Sequence, residues 1–295
     1  MTHFVPSAMP DEGLGVLLLI RIVEQNTPGF FAPDRPVHVA RAPGRLDLLG
    51  GVGGGERALA LQLPTSEAVC AAVQTRDDEM VRIWSPCRDG ARTDRLSVRL
   101  GDLGLPDAPI DDQEARAFLC ADPRDAWIAH VLGGVLVLAR DHRKVVPNGF
   151  DLLLTSDLPE QSGAGSSAAV QVATLRAVAH AFGLELDADE LVAVCRTIDS
   201  EIVRDDLGGL PQRTIVGATA GALAALRGDA GAPEAIAVPD ALEFVGLDLG
   251  MPIVTATVAD AADVAAENAR AERFVELLRQ PVSPATATEL GELMF

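Results

Sequence analysis

This chain of 295 residues is poor in positive charge: 24 Lys and Arg stand against 43 Asp and Glu, a formal net charge of −19. Nucleic acid and anionic membrane surfaces are gripped by clustered cations, so that imbalance excludes both as partners. Cysteine is scarce and scattered. Cys70, Cys87, Cys120 and Cys195 form no pair at metal-ligand spacing, which speaks against zinc and disulfides and for free thiols in a reducing cytoplasm. Long apolar runs are missing too. Leu14 to Val23 carries Arg21, is too short to cross a bilayer, and has neither the basic start nor the small-residue cleavage site of a secretory signal. No internal repeat or low-complexity tail is visible. What remains is a hydrophobic content of 48%, enough for a substantial core in one large or two ordinary domains.

Residues up to about Gln25 read as a helix, closed by the turn-rich stretch Asn26 to Pro36. Short β-type runs follow at Val37 to Ala42 and Leu46 to Leu49, around a Pro43-Gly44-Arg45 bend, and then five glycines fall within Gly50 to Gly55. Leu59 to Leu63, Ala68 to Val73, Met80 to Trp84 and Leu96 to Leu100 continue as strands, implying a mixed or antiparallel sheet. Asp111 to Asp141 turns helical, its apolar stripe (Trp127, Ile128, Val131, Leu132, Val135, Leu136, Leu138) suited to burial on a sheet, with Trp127 in the core. Phe150 to Thr155 is a strand and Ser166 to Phe182 a helix stopped by Gly183. Asp187 and Glu190 form a capping-box pattern for a helix running to Ile202. Thereafter come β runs at Ala220 to Leu226, Leu242 to Leu247 and Ile253 to Val258, then helices Ala261 to Leu278 and Ala285 to Met294.

The stretch the rest serves is Leu158 to Val170, LPEQSGAGSSAAV. Gly163, Ala164 and Gly165 permit a tight turn and a close backbone approach, and Ser166, Ser167, Ala168 and Ala169 can open a helix directly behind it. Unpaired amides and the positive helix end then form a seat for an anion, most simply nucleotide phosphates, with a serine hydroxyl left for a metal ion. In so acidic a chain a nucleotide must be held by local amide geometry and a divalent cation. The plainer alternative is a strand-to-helix turn that binds nothing. Asp199 and Glu201 are the nearest carboxylates in sequence that can face the loop; each is otherwise a solvated helix position. A dinucleotide fingerprint needs G-x-G-x-x-G, and SGAGSSAA lacks the third glycine, which speaks against an oxidoreductase.

Four stretches in this order, ARAPGRLDLLGG at Ala40 to Gly51, WIAHVLGGVLVL at Trp127 to Leu138, LPEQSGAGSSAAVQVATL at Leu158 to Leu175, and CRTIDSEIV with GGLPQ between Cys195 and Gln212, resemble the GHMP kinase superfamily. Within it the L-arabinokinase-like and galactokinase-like sugar kinases are most similar. The resemblance implies an α+β fold, with a ribosomal protein S5 domain 2-like N-terminal domain and a truncated ferredoxin-like C-terminal domain. The expected boundaries are 1–35 for the helix and linker, 36–226 for the nucleotide-binding domain and 227–295 for the partial C-terminal domain. It implies ATP on Gly163, Ala164, Gly165, Ser166, Ser167 and Ala168, Mg²⁺ on Ser167 and Asp199, and a monosaccharide beside Arg45 and Asp47. Arg45 is the implied catalytic residue, stabilising charge on the transferred phosphoryl group.

The departures from the family pattern matter equally. Asp199 is one methylene shorter than the family's metal-binding glutamate. Pro211 stands before Gln212 where the family has an aspartate that takes or orients the sugar proton, and proline has no acid or base to offer. Gly53, Gly54 and Gly55 occupy the segment where the sugar kinases carry an acidic residue and a tyrosine for sugar hydroxyls. Asp205 and Asp206 lie near the base position but are displaced from it by five or six residues. The family's C-terminal glycine-rich motif is expected just past Leu290 to Phe295 or is dispensed with. A weakly active sugar kinase is the expectation, and a catalytically inactive nucleotide- or sugar-binding regulator of the same fold is the alternative.

Overall fold

The computed structural model describes residues 3–6, 19, 21, 23, 29–51, 58–87, 90–160, 162–204, 209–228, 231–247 and 261–294. In chain order the strands and helices are β1 (His3–Pro6), β2 (Pro36–Gly50), β3 (Leu59–Thr75), β4 (Met80–Trp84), β5 (Arg95–Arg99), α1 (Asp112–Leu119), α2 (Ala129–Asp141) and β6 (Phe150–Ser156). They continue with α3 (Ser166–Phe182), α4 (Ala188–Thr197), α5 (Leu210–Val216), β7 (Ala222–Arg227), β8 (Glu234–Ala237), α6 (Ala261–Leu278) and α7 (Pro284–Leu293). A π-helical turn, Ile198–Val203, extends α4.

Two compact units interleave along the chain: Met1–Ala42 with Glu67–Leu158 and Ser166–Leu207, and Pro43–Ser66 with Pro159–Gly165 and Gly208–Phe295. In the first unit the strand order is β1-β2-β3-β6-β4-β5. The sheet is mixed, as the sequence implies: β6 runs antiparallel to β3, from Val69 opposite Ser156 to Thr75 opposite Phe150, and parallel to β4. Alternation along the strands sends Val37, Val39, Cys70, Ala72 and Leu153 into one cluster with Leu19, Val23 and Phe31. Two adjacent glycines let α2 approach its neighbours closely. A methyl on Gly134 would stand 2.7 Å from Leu175 of α3, and one on Gly133 would stand 3.2 Å from Ile202 of the π turn. Apolar pressure from α2 therefore fixes both the helix behind the glycine loop and the turn carrying Asp199.

In the second unit, Leu59 to Gln62 of β3 pair antiparallel with β7, and β7 with β8. Their inner faces (Leu59, Leu61, Leu223, Ala225, Ile236) pack on α6 through Ala271, Phe274, Val275 and Leu278. Phe274 is fully buried, worth about 2–3 kcal/mol in removed apolar surface.

Several expectations need correction. His3–Pro6 is a strand parallel to β2, so the chain does not begin as helix; only residues 19, 21 and 23 of the expected helix are described, and they are helical. The Pro43-Gly44-Arg45 bend does not break β2, which runs 15 residues, and the two strands expected at Leu59 to Leu63 and Ala68 to Val73 are one strand, β3, of 17. Helix Asp111 to Asp141 is two helices, interrupted around Pro123, whose ring and missing N–H stop a helical ladder. Trp127 falls at that break, half-buried. Its Nε1 donates to Thr93 O at 3.1 Å and Arg92 lies 4.7 Å over its ring. Leu242 to Leu247 is not a strand: Leu242 and Phe244 bury against the α6 core while Val245 and Leu247 stay exposed, so an alternating pattern is satisfied without a ladder. Strand β8 was missed, and Ile253 to Val258 lie outside the described residues. No described helix is long and apolar enough to cross a membrane.

Candidate functional site

Strand β6 delivers the chain to Leu158, where Ser156 Oγ accepts from Leu158 N at 3.1 Å and turns the backbone out of the sheet. Ser162 Oγ then donates to Pro159 O at 3.1 Å, closing the loop on itself. Gly163 and Gly165 sit at φ of 80° and 75°, a region L side chains avoid, so the sequence has glycine where the turn demands it. Helix α3 starts at the next residue, with Ser167 exposed on its first turn and Ala164 and Ala168 buried. Strand, glycine turn and helix follow in the order that an anion seat requires.

Arg45 lies against this turn. It is 5% exposed, its backbone N–H donates to Ala164 O at 2.9 Å, and its Nη1 donates to Gly163 O and to Asp47 Oδ2, each at 2.7 Å. Its Nε is buried and makes no hydrogen bond, a cost of about 1–3 kcal/mol that the two Nη1 bonds offset. Asp47 is 58% exposed in its side chain and accepts a second bond from Gln62 Nε2, and Gln62 Oε1 in turn accepts from Thr214 Oγ1. Gln62 and Thr214 are buried. Thr214 sits on α5, which opens after Gly209 with Pro211 in its first turn, where a missing N–H costs nothing. Pro211 and Gln212 are both buried. Pro211 thus favours the helix start.

Asp199 belongs to a second polar group, on the π turn of the first unit. It is 8% exposed and accepts from Gln171 Nε2 of α3, and His130 Nδ1 of α2 lies 3.8 Å from the same carboxylate oxygen. Gln171 also meets His130 Nδ1 at 3.0 Å. Burial first, and the Asp199 carboxylate second, push the Cys195 thiol well above its ordinary range, so that thiol is not a nucleophile. All four cysteines are thiols, and no metal-holding group of three or more His, Cys, Asp or Glu occurs among the described residues. Arg116 ends the π turn by donating to Ile202 O at 3.0 Å and Val203 O at 2.6 Å. Glu201 is exposed, and Asp205, Asp206 and Gly53 to Gly55 lie outside the described residues.

The structure thus brings Arg45, Asp47 and Gly163 into one bonded group, and ties Asp199 to Gln171 and His130. Sequence reading missed Gln62, Thr214, Gln171 and His130. The available signal was a lone amide inside an apolar run, LALQLP in β3 and AAVQVA in α3, which a core admits only with a partner.

Residues 129–210 match the GHMP kinases N terminal domain. The chain is 32% identical over 246 residues to an L-arabinokinase of Arabidopsis thaliana, covering 76% of this chain and 24% of that protein. It is 26% identical to a galactokinase of Levilactobacillus brevis, covering 61% of this chain and 42% of that one. The chain therefore spans less than half the length of these relatives. Among solved structures, Lactococcus lactis galactokinase complexed with galactose superposes with a TM-score of 0.59 at 18% identity, over 77% of this chain and 52% of that one. Residues 129–210 are thus of the GHMP kinase type in sequence, and the mixed α/β fold of the chain is the one seen in that galactokinase.

Proposed function

We propose that this chain is a sugar kinase of the GHMP type, or a close derivative of one, with weak turnover in a cytoplasmic setting. ATP phosphates rest on the amides of Gly163 to Ala168, and a sugar lies beside Arg45 and Asp47. The observation that carries the reading is the glycine turn at positive φ running straight into α3, inside the stretch that matches the kinase domain. Ser167 and Asp199 offer a hydroxyl and a carboxylate, the hard oxygen donors that Mg²⁺ takes. When bound, Mg²⁺ supplies charge neutralisation on the phosphates.

In the transfer, a sugar hydroxyl oxygen bonds the γ-phosphorus as the bond to the bridging oxygen breaks and ADP leaves. Arg45 sets the loop and adds positive charge near the phosphoryl oxygens. With Pro211 at the base position, the hydroxyl proton goes to water. Such a loss costs about 10²- to 10⁴-fold, but positioning sustains residual transfer.

Pro211 favours one second reading, a non-catalytic regulator that keeps the nucleotide seat. Incubating the chain with ATP, Mg²⁺ and a panel of pentoses and hexoses separates the two. Sugar-dependent ADP supports the kinase; ATP-induced thermal stabilisation with no ADP from any sugar supports the regulator.

A further inference from the structure

Both carbonyls of the loop's central residues point at one side chain's residue. Gly163 O receives Arg45 Nη1 and Ala164 O receives Arg45 N. In a trans peptide the C=O and the following N–H point in opposite directions. The Ala164 and Gly165 amides are therefore turned away from Arg45, and neither donates a hydrogen bond among the described residues. Gly163 and Gly165 sit at φ 80° and 75° with Ala164 at negative φ between them, and successive amides turned to one side of a loop are what an anion-binding concavity needs.

What holds Arg45 in that pose runs backwards through side chains whose donor direction is forced. Asp47 is acceptor-only when ionised, so Gln62 presents its NH₂ to it and turns its carbonyl to Thr214, whose hydroxyl must donate. Every link has one possible polarity, and the last is fixed on α5 by a residue with no exposure. We propose that Gln62 and Thr214 are positioning residues: through Asp47 they hold Arg45 so that it aims the Ala164 and Gly165 amides at the ligand's phosphates. This rests on the nucleotide reading above and adds residues that bear on the phosphate part of affinity alone.

The test is titration calorimetry of the full chain with Mg·ATP and with adenosine. Gln62→Leu and Thr214→Val should weaken ATP about tenfold, the lower end of what outer contacts contribute to a site, and leave adenosine unchanged. Thr214→Ser, which keeps the hydroxyl, should restore the wild-type ratio. Equal loss for both ligands, or no loss for either, overturns the proposal while leaving the nucleotide reading standing. A wild-type chain that binds neither ligand removes the reading and the proposal together. A measurement on the unaltered protein covers variants that fail to fold: with ¹⁵N-labelled alanine and glycine, ATP should shift the Ala164 and Gly165 amide resonances and adenosine should not. Unmoved amides under saturating ATP also overturn it.

Discussion

The two units each contain a group of polar side chains, and the two groups are built in opposite ways. The Thr214–Gln62–Asp47–Arg45 chain begins in the core and emerges: Thr214 is fully buried, Asp47 is 58% exposed, and the last donor meets a loop carbonyl. The His130–Gln171–Asp199 group stays inside, with Gln171 fully buried and Asp199 nearly so. A chain that surfaces can transmit position to a ligand; a group that remains interior chiefly holds helices α2 and α3 to the π turn. Residues singled out by motif alone can therefore be bound into the fold to very different degrees.

The contrast breaks most visibly at Pro211. If the second unit lacks only a proton acceptor, Pro211→Asp should raise sugar-dependent ADP release by about 10²-fold or more, read in a coupled assay. Asp is tolerated in a first helical turn, so the helix should survive. No gain in a folded variant would mean that more than the base is missing. Next in size, Arg45→Met, which keeps an apolar stem but loses the donors, should weaken Mg·ATP by about 100-fold in the same calorimetric titration, since a displaced loop misplaces its amides. Retained affinity would detach Arg45 from the loop's role.

For the interior group the expected effect is on folding. Asp199→Ala removes the carboxylate that accepts from Gln171 Nε2, and urea denaturation should show a loss of about 1–3 kcal/mol. An unchanged midpoint would show that the group is not structural. The smallest effect concerns another interior pair in the first unit, His38 and His180, whose rings meet edge to face at 4.8 Å with both Nδ1 atoms buried and unbonded. Burial, and then the neighbouring His180, hold His38 below its ordinary 6.5. The unfolded chain thus binds more protons than the folded one just below pH 6.5, so stability is lost as the pH falls through 6.5 and nothing is lost above it. His38→Phe should narrow the difference in Tm between pH 7.5 and pH 5.5; an unaltered difference would place the acid sensitivity elsewhere.

Much of the frame was legible because it is written locally. Helix α3 starts and stops at the residues its serines and Gly183 announce, α6 spans its amphipathic stretch, and β6 is a plain apolar run. Where a pattern had two solutions, tertiary packing chose. Leu242 and Phe244 bury beside Phe274 without pairing as a strand, and Pro64 sits within a long strand instead of ending one. The motif residues Arg45 and Gly163 were found as separate letters, but their bond joins positions 118 apart, and Thr214 meets Gln62 across 152. No window along the sequence contains such a pair. The interleaving of the two units has the same origin, since β2 and β3 each contribute residues to both.

The π turn at Ile198–Val203 carries one more residue than a regular helix would in the same span. Removing a single codon there would relax the backbone into an ordinary helix and move the turn's own residues by a step of about 100° around its axis. Arg116 would then face different carbonyls from those of Ile202 and Val203 that it now caps. In the inheritance of this chain, codon loss in that stretch is a change of aim for Asp199, where a substitution would be only a change of size.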